Sequence, residues 1–341
     1  MMVCRIAATA ALLCLVSQAD AGLFLFAEPD QQPLTITHPT GYTGGQNQHL
    51  EISVCIDPNS ENTDKLEIPV RNAITVWNRL EPTRGNVIQP NPEMEFSAFD
   101  VESVLLHEVG HCIGLAHPNL ATESGLSDSD ERAFAKTLKG PNNAYDLDVG
   151  ADQVIGTRDD VRGDDVNLNW FEIVANDPFR MPAVIDSTTY TTNAGQLPGG
   201  HSWVEIAGRS VWEARGLAPS VAVMFQGIFN SETRRALNHD DAAMIRLGMA
   251  GRDRIQGTVR DYTFELQYGG VANNCDINIS MQGSSFGFCQ VGASGGGGLP
   301  PNHWRITSAT IQLASESEIN WHFNSQLLGD NLIFQDRFEG D

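Results

Sequence analysis

Basic residues are scarce in this chain: 21 lysines and arginines stand against 43 aspartates and glutamates, a formal charge of -22 at pH 7. A surface of that sign repels phosphates, which excludes nucleic acid as a partner class. Long apolar runs are also missing. The most apolar stretch, residues 6–16, is shorter than the ~20 residues of a bilayer-spanning helix. It follows Arg5 and precedes Ala19-Asp20-Ala21. A basic residue, a short apolar core and an A-x-A site read as an export signal over residues 1–21, cut before Gly22. No later segment suits a membrane span, so the mature chain is expected to be secreted, extracellular and monomeric. Cysteine is sparse too, with six in all. Cys4 and Cys14 fall in the leader, which leaves Cys55, Cys112, Cys275 and Cys289. An even set in an exported chain suggests disulfides, although sequence does not fix the pairing. The expectation is Cys275 with Cys289, closing a hairpin-like segment, and Cys55 with Cys112, tying a strand to a helix. A free buried thiol at Cys112 stays open as the alternative.

What the chain does contain is the run His107-Glu108-Val109-Gly110-His111-Cys112-Ile113-Gly114-Leu115-Ala116-His117. Two histidines four apart share one helix face and can grip one metal ion. Glu108 projects toward the same ion and can act as a general base. Gly114 can take backbone angles closed to other residues, so the chain can turn there and bring His117 to a third ligand position. Three neutral imidazoles leave a fourth position for water, the arrangement of a catalytic zinc rather than a structural one. Three of the chain's nine histidines lie in this run. The local pattern predicts a helix that starts at the N-cap Asp100, with Phe99 and Val104 as a hydrophobic staple, and ends at Gly114.

This motif resembles that of the metzincin metallopeptidases, H-E-x-x-H-x-x-G-x-x-H followed by a Met-turn. A second block supports the resemblance. Ser220-Val221-Ala222-Val223-Met224 precedes Leu237-Asn238-His239-Asp240-Asp241, which is similar to the matrixin branch, where an S-x-M turn leads to a helix opening with L-x-x-D-D. The resemblance implies that Met224 is the Met-turn methionine, beneath the zinc without binding it, and that a C-terminal helix runs near 231–248. A strand at 50–57 and an amphipathic helix at 68–78, with Pro69 near its first turn, are similar to the start of a matrixin domain. The implied fold class is α+β, with a mixed sheet, a long zinc-binding helix, a Met-turn and a C-terminal helix.

The expected organisation is a leader over 1–21, an extended lead-in over 22–49 and a catalytic domain over 50–255. A long insertion, about 118–218, lies between the third histidine and the Met-turn. Within it Asp146, Asp148, Asp152, Asp159, Asp160, Asp164 and Asp165 alternate with glycines, a composition that suits Ca2+ or else a solvated acidic loop. Residues 256–341 read as a small β-rich accessory domain with strands near 262–268, 275–281, 307–314 and 319–323. Residues 294–298 read as a flexible glycine loop. The ending Ile333-Phe334-Gln335-Asp336-Arg337-Phe338-Glu339 is similar to endings of secreted bacterial proteins, which implies surface sorting.

The resulting expectation is a secreted zinc endopeptidase with His107, His111 and His117 as ligands, Glu108 as base and a protein or peptide as substrate. Two alternatives stand beside it: a narrow peptidase for cell-wall peptide or a single protein, and an adhesin or binding module with a vestigial zinc site.

Overall fold

The computed structural model describes residues 24–27, 34–83, 86–87, 91–117, 170–173, 182–192, 220–225 and 227–329. The expected leader, the seven insertion aspartates and the sorting-like ending lie outside the described residues. In chain order the elements are β1 (Ile36–His38), β2 (Gln48–Ile56), α1 (Thr63–Arg79), β3 (Asn86–Val87), β4 (Phe99–Asp100) and α2 (Val101–Cys112). Then come β5 (Phe171–Glu172), β6 (Tyr190–Thr191), β7 (Ser220–Val221) and α3 (His239–Met249). The chain continues with β8 (Tyr262–Val271), β9 (Ile277–Gly283), β10 (Gly287–Gly295), β11 (His303–Ala314) and β12 (Trp321–His322).

The main sheet has the order β8-β2-β9-β11, with β1 pairing the first residues of β11 and β10 pairing β11 as well. Every pairing in it is parallel except β10 with β11. Alternate residues point to one buried face: Leu50, Ile52 and Val54 on β2, Ile277, Ile279 and Met281 on β9, and Ile311 and Leu313 on β11. Helices α1 and α2 pack on that face, as the period-two burial of these strands requires.

This topology corrects the expected domain division. The strands of residues 256–341 do not form a separate β domain, because β8 and β9 flank β2 on either side in one sheet. Period-two alternation marks a strand but does not name its partner, and β2 alone would leave both of its edges unpaired. The lead-in is corrected as well, since β1 joins the same sheet. The glycine loop is narrower than expected: β10 runs through Ser294 and Gly295, with a register shift between Gly292 and Ala293.

The helices begin elsewhere than the pattern suggested. Helix α1 starts at Thr63, so Pro69 lies inside it rather than in its first turn. Its buried residues include Leu66, Val70, Ala73, Ile74 and Trp77. The Trp77 indole donates to the Leu106 carbonyl at 2.8 Å, fixing α1 against α2. Helix α3 starts at His239, not near 231, because Asn238 and Asp241 form a capping box there. Helix α2 has the expected N-cap: the Asp100 carboxylate accepts from Ser103 N at 3.0 Å. Arg235 also donates to Asp100, from Nε at 2.9 Å. Among the described residues no helix is long and apolar enough to cross a membrane.

Candidate metal centre

His107 and His111 project from one face of α2, one turn apart. The helix ends at Cys112, and Gly114 then takes φ +118°, in the region that favours glycine. A Cβ on Gly114 would also lie 2.4 Å from the Thr37 carbonyl oxygen of β1. The position therefore admits glycine on two counts. The turn brings His117 back, so that its Nε2 lies 3.0 Å from that of His107 and 3.0 Å from that of His111. The His107 and His111 Nε2 atoms are 3.1 Å apart.

The partners on the far sides of two rings fix the tautomers. His107 Nδ1 is 2.7 Å from the Val223 carbonyl, and His111 Nδ1 is 2.8 Å from the Leu115 carbonyl. A carbonyl only accepts, so both Nδ1 atoms carry the hydrogen and both Nε2 atoms present lone pairs. Two lone pairs at 3.1 Å repel unless a cation stands between them. The donor set fits zinc: with Zn–N near 2.0–2.1 Å, a tetrahedral site spaces its nitrogens by about 3.3–3.4 Å, a few tenths of an ångström wider than observed. Burial holds His107 down at about 3, helped by His111, and holds His111 at about 4. Burial and its two partner imidazoles hold His117 well below the usual range. All three are thus neutral at pH 7, the form a metal accepts. His107, His111 and His117 could hold a metal ion.

Glu108 is 5% exposed and faces β10. The Cys289 backbone N–H donates to its carboxylate, while burial pushes its pKa up to about 8. Among the described residues the Oε2 atom has no hydrogen-bond partner. Gly287 makes room for this side chain, since a Cβ there would stand 3.4 Å from Oε1 and 2.9 Å from the Val104 side chain.

Met224 is buried under α2 at 1% exposure. A Cβ on Gly110 would lie 2.3 Å from its sulfur and 2.9 Å from the Trp77 ring. Gly110 is therefore where α2 comes down onto Met224, between the two helical ligands. The Asp241 carboxylate accepts from Val223 N at 2.7 Å and Met224 N at 3.2 Å, anchoring that turn to α3. Asp241 and Gly110 were visible in the motifs, but their spacing carried no sign of these roles. The helix pattern at 68–78 also carried no sign that Trp77 would reach α2.

The disulfides correct the expected pairing. Cys55 joins Cys275 and Cys112 joins Cys289. Short-loop reasoning favoured Cys275 with Cys289, but β9 lies beside β2 and brings Cys275 to Cys55. The second bridge ties the end of α2 to β10, one residue past His111. Gly269 on β8 admits the first bridge, since a Cβ there would stand 2.6 Å and 2.8 Å from its two sulfurs. Four paired cysteines fit an extracellular chain.

The described parts of the insertion pack on the body. Trp170 donates to the Thr35 carbonyl at 3.3 Å, and Ser187 N donates to the Arg254 carbonyl at 2.9 Å. The aspartates expected to bind calcium lie outside the described residues. Set against known proteins, the chain has no match among family models, curated proteins or solved structures.

Proposed function

We propose that this chain is a secreted zinc-dependent endopeptidase. The observation that carries the reading is the convergence of three Nε2 atoms within 3.0–3.1 Å of one another, two of them with tautomers set by backbone carbonyls, beside a buried glutamate. His107, His111 and His117 would hold the ion. Zinc bound there would supply a Lewis acid and acidify a bound water.

The chain's own residues support the rest of the reaction. Glu108 takes a proton from the attacking water and returns it to the leaving amine. The Cys289 N–H lowers its pKa, and a cation held by the three histidines would favour the ionised form against burial. Gly287 at the start of β10 stands close to Glu108, since a Cβ there would lie 3.4 Å from Oε1. Among the described strands β10 pairs only with β11. An extended peptide laid along the other edge of β10 would add a strand and pass beside Glu108, which suits cleavage within a chain.

The test is casein digestion by wild type and Glu108→Ala, with zinc quantified in both. We expect both to hold zinc and the variant to lose about 10²–10⁴-fold in rate, the range for a general base. A variant that cuts as fast as wild type removes Glu108 from the chemistry. A zinc-loaded wild type that cuts neither casein nor a peptide library removes the peptidase assignment.

A further inference from the structure

The turn between His111 and His117 is held from outside by the first described residues of the chain. Leu25 N–H donates to the Gly114 carbonyl at 2.9 Å, and Phe24 forms an antiparallel bridge with Leu115. The Thr37 hydroxyl on β1 donates back to the Leu25 carbonyl. The Thr37 carbonyl in turn fills the space where Gly114 would carry a side chain. Residues 24–27, β1 and the turn thus form a closed ring of contacts.

This segment is anchored by its own side chains. Phe24 is 2% exposed, and its ring stands 3.4 Å from where Gly248 of α3 would carry a Cβ. Phe26 packs on Trp304 with ring centroids 5.3 Å apart. The far side of the ring matters for the site, because Leu115 supplies the carbonyl that accepts from His111 Nδ1 and His117 follows two residues later.

We propose that residues 24–27 are a positioning clamp for the metal centre. They hold the Leu115 carbonyl against His111 and set the place of His117. This rests on the reading of the three histidines as a metal centre. Without the clamp the turn keeps its own backbone bonds, among them Gly114 N to His111 O and Leu115 N to Gly110 O, both at 3.0 Å, and the Leu115 carbonyl its contact with His111 Nδ1. The backbone bonds fix the helix end, and the clamp adds a hold from outside on Gly114 and Leu115.

The experiment uses the full chain and reads zinc affinity by chelator competition, the visible spectrum of the cobalt-loaded protein and thermal unfolding. Leu25→Pro removes the N–H donor, and Thr37→Val removes the hydroxyl. Ile279→Val, in the buried face of β9, is the control for general destabilisation. We expect Leu25→Pro to weaken zinc binding by about 10–100-fold, the range for losing a partner behind a metal ligand, and to alter the cobalt spectrum. Thr37→Val should move both readouts the same way by a smaller factor, and Ile279→Val should lower the melting temperature while leaving both unmoved. If Leu25→Pro does not fold, Thr37→Val decides. Wild-type affinity and spectrum in both clamp variants would overturn the clamp alone. A wild type that binds no zinc would overturn the metal centre and the clamp with it.

Discussion

Among the described residues two groups of histidines are in contact, one buried and one part-buried, and they differ in how their hydrogens are placed. In one, His38 Nε2 lies 2.8 Å from His303 Nδ1, and His38 Nδ1 lies 3.2 Å from the Tyr262 hydroxyl. Each contact there can hold one hydrogen, so the row Tyr262–His38–His303 is satisfied without any ion. In the other, carbonyls behind His107 and His111 take up the Nδ1 hydrogens, and the lone pairs face one another. Closeness of imidazoles is common to both. What distinguishes a metal site is the residue behind each ring, and here that residue is a backbone carbonyl supplied by a turn.

The sharpest way to break this contrast is to remove one ring from the group whose lone pairs face one another. His111→Ala should lower zinc affinity by two orders of magnitude or more, because three ligands become two. Chelator competition and zinc content check this, and a variant that keeps stoichiometric, tight zinc would erase the distinction.

Acid should act on the satisfied row in a predictable direction. Burial and the His303 imidazole hold His38 well below the usual range, while burial and then the Arg254 guanidinium hold His303 at about 4. Tyr42, stacked on His38, and Tyr262 complete the titratable surroundings, and burial raises both phenols, Tyr42 to about 12. A folded pKa below the unfolded value of 6.5 means that the unfolded chain binds more protons as pH falls. The stabilisation is therefore fully present above pH 6.5 and is lost as pH drops toward 4, at up to about 1.4 kcal/mol per pH unit for each imidazole. Urea unfolding of zinc-loaded wild type and of the double variant His38→Gln/His303→Gln should show a stability difference that shifts against wild type across that window. A difference that is flat with pH would mean that the row is not buried as described.

The smallest effect expected is that of Tyr262→Phe. It removes one hydroxyl from the row and should cost about 1 kcal/mol, with zinc content unchanged. Loss of zinc in this variant would show that the two histidine groups are energetically joined through β1, which carries both His38 and the Thr37 carbonyl against Gly114.

How legible these features were follows from distance along the chain. His107, Glu108, His111, His117 and the bend at Gly114 lie within a single short run, so helix periodicity and one glycine were enough to predict that the three imidazoles converge. Met224 and Asp241 were marked as a motif, while the contact of Met224 with Gly110 was not, since a glycine in a helix does not say what approaches it. The sheet was read as strands but not as one sheet. Val54 pairs with Tyr268 and with Ile277, and no local pattern encodes partners so remote. The disulfide pairing was missed for the same reason, because it follows from which strands lie side by side. Pro69 misled the helix boundary: proline favours a first turn, yet the apolar face that includes Leu66 and Val70 packs well enough to extend α1 back to Thr63.

The placement of α2 between the two halves of the sheet has a consequence for the order of assembly. Synthesis runs from β1 and β2 through α2 and α3 before it reaches β8–β11. The three histidines thus leave the ribosome well ahead of the surface that supports them. A nascent chain that stops short of Tyr262 lacks both neighbours of β2, as well as Cys275, Cys289 and the N–H that donates to Glu108. Nearly all the contacts that complete the centre are of long sequence separation, which makes them late to form and slow. The three-histidine cluster and Glu108 are thereby left without their full surroundings during translation by topology alone.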